Sequence, residues 1–180
     1  NPIIERPKLI NNDIWPSKAS LLAAECLINA SEEFAGLDTY QFDITNLFRQ
    51  VFGQYAGHLL FEISNSYKDK NIEAFDRQVN EYKNLCLKIE QLLSTREEFL
   101  LDKWLYDSKK HATTPEEEQL YEWNAKAIIT VWGGRRLYGY AIKDWAGMYT
   151  NYFIPKWDLF FNELKGEILG LGKYNDEEFL

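Results

Sequence analysis

Hydrolytic and acyl-transfer chemistry needs particular side chains in particular company. In this chain of 180 residues the imidazoles are His58 and His111, and neither has a recognisable acid or nucleophile at a spacing that would engage it. His58 reads as a partly buried helix histidine and His111 as a solvated one near a helix C-terminus. Cys26 and Cys86 stand alone, without CxxC or Cys–His spacing, so neither a zinc site nor a disulfide framework is supported, and no cofactor or metal is implied. The sequence holds no nucleophile elbow, phosphate-cradling loop, dinucleotide fingerprint or HExxH. Carboxylates cluster at Glu97-Glu98 and Glu116-Glu117-Glu118, but at helix starts, where acids offset the helix dipole. Asp43, Asn46 and Arg49 form a polar row at i, i+3 spacing that either grips a ligand or pairs inside the protein; Asp43 is well placed to meet an arginine of the same chain. The most suggestive stretch is Trp132-Gly133-Gly134-Arg135-Arg136-Leu137-Tyr138-Gly139-Tyr140, with aromatic rings beside glycines on a turn between helices. Such rings stack on the C–H face of a pyranose while a tyrosine hydroxyl hydrogen-bonds to it; they suit helix-to-helix packing equally well.

The elements that must position these residues are helical. After an irregular lead-in over Asn1–Ile14, Trp15-Pro16-Ser17 opens a helix with Leu22, Cys26 and Leu27 as apolar positions, ending near Ser31. Asp38 with Gln41 reads as a capping box launching a long helix to about Tyr67, in which Gly53 and Gly57 allow close approach of a neighbour. Ile72, Phe75, Val79, Tyr82, Cys86, Ile89 and Leu93 alternate steps of three and four, the stripe of a buried helix. Thr95 with Glu98 reads as a further capping box before Phe99, Leu100, Trp104 and Leu105. Thr114-Pro115-Glu116-Glu117 is the clearest start signal, and Leu120, Trp123, Ala127, Ile128 and Val131 follow before Gly133-Gly134 stops the helix. A last helix is expected from Leu137 through Ala141, Trp145, Met148 and Tyr152, broken or kinked at Pro155 and resuming through Trp157, Phe160, Leu164 and Ile168. Nothing alternates with period two. The expectation is a single all-α domain over residues 1–180, a bundle of about six helices with antiparallel neighbours and no significant sheet.

Composition bounds the partners. Twenty basic against 28 acidic residues give a net charge of −8, which opposes nucleic acid and anionic membranes, and no apolar run is long enough to cross a bilayer. Aromatic residues make up 16%, so the chain carries a wide aromatic core or a wide aromatic binding surface. It begins with Asn, and Tyr174–Leu180 reads as the first turn of a helix that is cut off, so the chain is expected to be a processed product or part of something longer.

Several segments together resemble one family. Leu120–Gly133 is similar to the LYEWNARNQITLWG-like segment of alpha-N-acetylglucosaminidases, glycoside hydrolase family 89. Tyr140–Gly147 with Asn151–Trp157 resembles that family's YANKQWAGL and YYLPRW, Tyr40–Gln50 its YRYDLVDVTRQ, and Thr95–Leu101 its TREEFLLGRW region. The matches run in order over nearly the whole chain. The resemblance implies the C-terminal helical domain of a larger exo-acting retaining enzyme that removes terminal alpha-linked N-acetylglucosamine, without the domain's first and last helices. Both catalytic glutamates would lie on a (β/α)8 barrel of the same polypeptide, so the segment carries no catalytic residue. It further implies a substrate-pocket role for Trp132, Leu137 and Tyr140: Trp132 enclosing the sugar, Leu137 adding apolar contact, Tyr140 offering a hydroxyl. A bacterial member would be secreted or periplasmic, as animal relatives are lysosomal. Asn46 and Phe48 replace the family's Asp and Thr, Lys126 its Arg, and Ile142 a polar residue, which implies a rewired polar network. The alternative class is non-enzymatic, a free-standing helical scaffold or carbohydrate-binding module.

Overall fold

The computed structural model describes residues 7–132 and 141–174. Among these residues the chain forms seven α-helices: α1 (Lys18–Asn29), α2 (Ser31–Phe34), α3 (Asp38–Lys68), α4 (Ile72–Leu93), α5 (Leu101–Lys109), α6 (Pro115–Thr130) and α7 (Ile154–Ile168). A 3-10 turn at Glu97–Phe99 precedes α5 and a π-turn at Tyr149–Phe153 precedes α7. The single-turn α2 accounts for the excess over the six helices expected. The described residues contain no strand, only one isolated bridge between Leu100 and Ala146.

Cross-links fix the packing as antiparallel. Along α3 and α4, Tyr55 bonds to Glu81 and Ser66 to Gln78, so one helix descends as the other rises. On the far side of α4, Asp76 meets Lys165 and Lys83 meets Asp158, which sets α7 antiparallel to it. The core lies between these three helices. Phe75, Tyr82, Cys86, Ile89 and Leu93 of the α4 stripe are all buried, as expected from their spacing. Opposite them Trp157 and Phe161 meet Tyr82 edge to face, Phe161 meets Phe75 likewise, and the Trp157 and Phe161 rings stack on each other, an arrangement that favours aromatic packing beyond area burial alone.

The lead-in is irregular over residues 7–14, yet it is fastened along α3. Ile10 is buried and its N–H donates to Ser64, Lys68 reaches Asn11, and the Asp13 carboxylate accepts from His58 Nδ1 at 2.7 Å. His58 therefore has a partner that spacing did not reveal, because 45 residues separate the two in sequence.

The expected Thr114 cap forms, the two expected capping boxes do not, and Ser17 adds a cap of its own. Ser17 accepts from the Ser20 N–H at the head of α1, and Thr114 from that of Glu117 at the head of α6, with Pro115 in the first turn. Asp38 and Gln41 make no capping box: α3 starts from Leu37 without a side-chain cap, and both side chains accept from Arg96 instead. Thr95 and Glu98 likewise fail, since Thr95 donates back to Leu92 and Glu98 pairs with Arg96. One guanidinium, placed between the two helix entries by tertiary packing, takes the acids that would otherwise have capped them. It holds the carboxyls of both Asp38 and Glu98 below the usual carboxylate range.

The last helix also departs from expectation. Residues 141–147 are not helical, so the stretch through Ala141 and Trp145 forms no turn of a helix. Ala146 instead exchanges backbone bonds with Phe99 and Leu101, and Gly147 sits at φ +94, where a β-carbon would lie 3.0 Å from that of Leu101. Glu90 of α4 accepts from Gly147 N–H, Tyr149 N–H and the Thr150 hydroxyl, replacing the helical acceptors these groups lack. Pro155 lies in the first turn of α7 rather than breaking a longer helix, and the π-turn immediately before it is the disruption its missing N–H predicts.

Candidate functional site

The candidate aromatic site begins where α6 ends. Val131 and Trp132 both donate to the carbonyl of Ala127, at 3.0 and 2.7 Å, which closes the helix before Gly133-Gly134 is reached. Trp132 does so at φ +49, a left-handed backbone that glycine normally takes and that is strained for a bulky residue. Its ring is 37% exposed. The protein thus places a large aromatic on strained backbone at a helix end. Leu137 and Tyr140 lie outside the described residues.

The helix that carries Trp132 is apolar on two sides. Ala125 and Ile129 face inward and are buried. On the opposite side Leu120, Trp123, Ile128 and Val131 recur at helical spacing and are exposed, Trp123 at 66%. Most of the apolar set thus forms one uncovered face leading to Trp132. Trp104 is also partly exposed, because its ring spans α5 and α6: the indole N–H donates to Ala125 O and the ring lies 5.9 Å from Trp145. Lys109 bonds to Glu122 and approaches Glu118, completing an antiparallel α5–α6 hairpin that mounts the site on the core.

The chain returns from the site through residues 141–147. Here Asp144, only 8% exposed, accepts from the hydroxyl of Tyr149 and from Arg49 Nη1 at 3.4 Å, while Arg49 Nη2 donates to Asn46 at 2.7 Å. Arg49 also lies over the ring of Phe99. Of the expected polar row, Asn46 and Arg49 come together, but the carboxylate that Arg49 meets belongs to Asp144 and not to Asp43, which is exposed. Burial raises the Asp144 carboxyl above its ordinary range, with the Tyr149 hydroxyl and Arg49 opposing that rise. Burial, then the Asp144 charge, push the Tyr149 hydroxyl well up in turn. Nothing in the local sequence marks Asp144, since its partners lie on α3 and in the π-turn. Among the four substituted positions, Phe48 packs on Phe52, Lys126 pairs with Glu122, Ile142 joins the core, and Asn46 holds Arg49.

Retaining glycosidases need two carboxyl groups about 5 Å apart across the scissile bond. Asp144 is enclosed and already engaged by Tyr149 and Arg49, and among the described residues no group of three His, Cys, Asp or Glu could hold a metal. No helix among them is long and apolar enough to cross a membrane.

Comparisons with known proteins point one way. The sequence model of the alpha-N-acetylglucosaminidase (NAGLU) C-terminal domain matches residues 2–180. The alpha-N-acetylglucosaminidase of Homo sapiens is 28% identical over 169 residues, covering 91% of this chain and 23% of that protein. Among solved structures, the family 89 glycoside hydrolase of Clostridium perfringens in complex with PUGNAc superposes with a TM-score of 0.88 at 26% identity, over 98% of this chain and 22% of that one. A form of the Clostridium perfringens protein with two Glu-to-Gln substitutions, in complex with its substrate GlcNAc-alpha-1,4-galactose, gives 0.81 at 27% identity over 87% and 19%. The chain spans under a quarter of the length of these relatives.

Proposed function

The chain belongs to the C-terminal domain family of alpha-N-acetylglucosaminidases, and on that premise we propose that it completes the sugar pocket of a larger exo-acting, retaining glycosidase acting on terminal alpha-linked N-acetylglucosamine. It packs on a catalytic (β/α)8 barrel of the same polypeptide, which supplies both carboxyls. The observation that carries this reading is the uncovered face of Leu120, Trp123, Ile128 and Val131, which runs into the strained, part-exposed Trp132. An apolar face of this kind costs solubility unless something covers it, and its end is where an aromatic would meet a ligand held at the interface. Trp132 encloses the N-acetylglucosamine ring, Leu137 adds apolar contact, and Tyr140 offers its hydroxyl. A bacterial parent would be secreted or periplasmic.

In the full-length protein Trp132→Ala lowers kcat/KM on an aryl alpha-N-acetylglucosaminide about tenfold or more, while the unfolding midpoint holds. Wild-type kinetics in that variant overturns the pocket assignment. The isolated chain, which only completes a pocket, shows no calorimetric binding of N-acetylglucosamine; a Kd tighter than about 1 mM would make it a free-standing carbohydrate-binding module instead.

A further inference from the structure

We propose that the outer face of α1 is a second contact strip for the catalytic part of the same polypeptide, separate from the face of α6. This rests on the reading that such a part covers α6, and it concerns a surface to which that reading gives no role. Of the 12 residues of α1 only Ala24 is buried, and the helix carries just two charges, Lys18 and Glu25. Ala19, Leu22, Ala23 and Cys26, spaced three and four apart on the side away from Ala24, are all exposed, Leu22 at 51%. Leu21 and Ile28 on the flanks are exposed as well, and Phe34 and Leu37 extend the uncovered surface beyond the helix. A surface helix ordinarily turns a charged face to water, whereas one that is apolar all round belongs in an interior.

Position and chain length choose the occupant. Trp15, just before α1, meets the rings of Tyr55 and His58, while the Leu27 carbonyl near its end accepts from the Tyr40 hydroxyl. Helix α1 therefore runs antiparallel along the first half of α3, toward the end where α3 begins. At that end Asp38 pairs with Arg96 and Phe42 stacks on Phe99, and α5 leaves from Leu101 to carry α6 through the bond of Trp104 to Ala125. The two uncovered apolar surfaces thus belong to elements attached at one end of the core. The relatives' chains extend beyond this domain by more than three-quarters of their length, so the neighbour seated there is several times larger than the domain. A covalent link holds that neighbour at an effective concentration on the order of millimolar, well above that of a second copy in dilute solution. A contact made permanent in this way is core-like and poor in charge, which is the composition of the α1 face.

The test labels thiols in the native full-length protein with iodoacetamide at pH 8 and reads each peptide by mass spectrometry. Cys26, exposed in this domain taken alone, is labelled about tenfold or more slowly than a thiol introduced at an exposed position of α4 by Lys88→Cys. Leu22→Glu, which puts a charge into the strip, brings Cys26 to within about threefold of that reference, while buried Cys86 stays unlabelled and reports an intact fold. Equal rates for Cys26 and the reference thiol in the otherwise unsubstituted protein overturn the inference, as does protection of Cys26 that survives Leu22→Glu. Protection that disappears on dilution, together with a sedimentation mass of more than one copy, gives the face to a second copy and also overturns it. A thiol introduced by Trp123→Cys separates this inference from the reading it rests on. If that thiol is protected and Cys26 is reactive, α6 keeps its partner and the α1 strip is refuted; if both react freely, the covering of α6 fails as well.

Discussion

Helices α4 and α6 both carry apolar residues at helical spacing, yet one is covered and the other is not. On α4 the stripe from Phe75 to Leu93 lies wholly between α3 and α7. On α6 only Ala125 and Ile129 are buried, while Leu120 and Trp123 face outward. The lesson is that apolar periodicity identifies a face that must be covered and says nothing about whether the cover is in the same domain. An apolar face left over after a domain has closed its own core is evidence of a neighbour. The two cysteines repeat the contrast: Cys86 is buried on α4, and Cys26 is exposed on α1.

Substitutions on the two sides of this contrast should have very different consequences. Trp157→Ala, at a ring that is 1% exposed among Tyr82, Phe160 and Phe161, lowers stability by about 3–5 kcal/mol in urea unfolding. A loss under 1 kcal/mol would mean the core is not where the fold places it. Thiol labelling should be just as divided. At pH 8, Cys26 reacts with iodoacetamide, whereas Cys86, whose thiol burial pushes up to about 12, is labelled only when the chain unfolds. Equal rates would show that α4 is not shielded.

The Arg96 cluster should give a smaller, pH-dependent effect. Arg96 depresses the carboxyls of Asp38 and Glu98 in the folded state, so its contribution is present above their unfolded pKa values and disappears as pH falls through the folded ones. Arg96→Met therefore lowers Tm by roughly 1–3 °C at pH 7, with the difference closing below about pH 4. A gap that persists at pH 3 would mean the side chain acts by packing. The smallest effect belongs to Trp123→Ser on the uncovered face: in the isolated chain stability changes by less than about 0.5 kcal/mol. In the full-length protein the same change weakens the protease resistance of the junction with the catalytic part, and equal resistance would remove α6 from the interface.

Much of the architecture was legible because it is written in local pattern. The α4 stripe, the Thr114 cap and the lack of period-two alternation each depend on residues within a turn or two of one another. The misread features share a cause. Asp38, Gln41 and Glu98 look like caps until Arg96 arrives from elsewhere, and His58 looks unpartnered until Asp13 is laid beside it. At the candidate site Trp132 could be singled out by residue type and by family resemblance, but its left-handed backbone could not, since a sequence with glycines next to it would place that conformation on the glycine. Asp144 was invisible for the same reason as the caps: its meaning depends on Arg49, 95 residues away.

The sequence by itself therefore determined the main helices, the heptad-like face of α4, the absence of a sheet among the described residues and the membership that the ordered motifs reveal. Those follow from propensity and periodicity, which act over a few residues. Tertiary structure alone decided which apolar faces are covered, which acids cap helices and which pair with Arg96, and where the segment around Asp144 leaves the helical path. Each of these is a competition between a local partner and a distant one. The distant partner prevails where folding has already brought it within hydrogen-bond reach, because by then the entropy of bringing the segments together has been offset by the burial of the core.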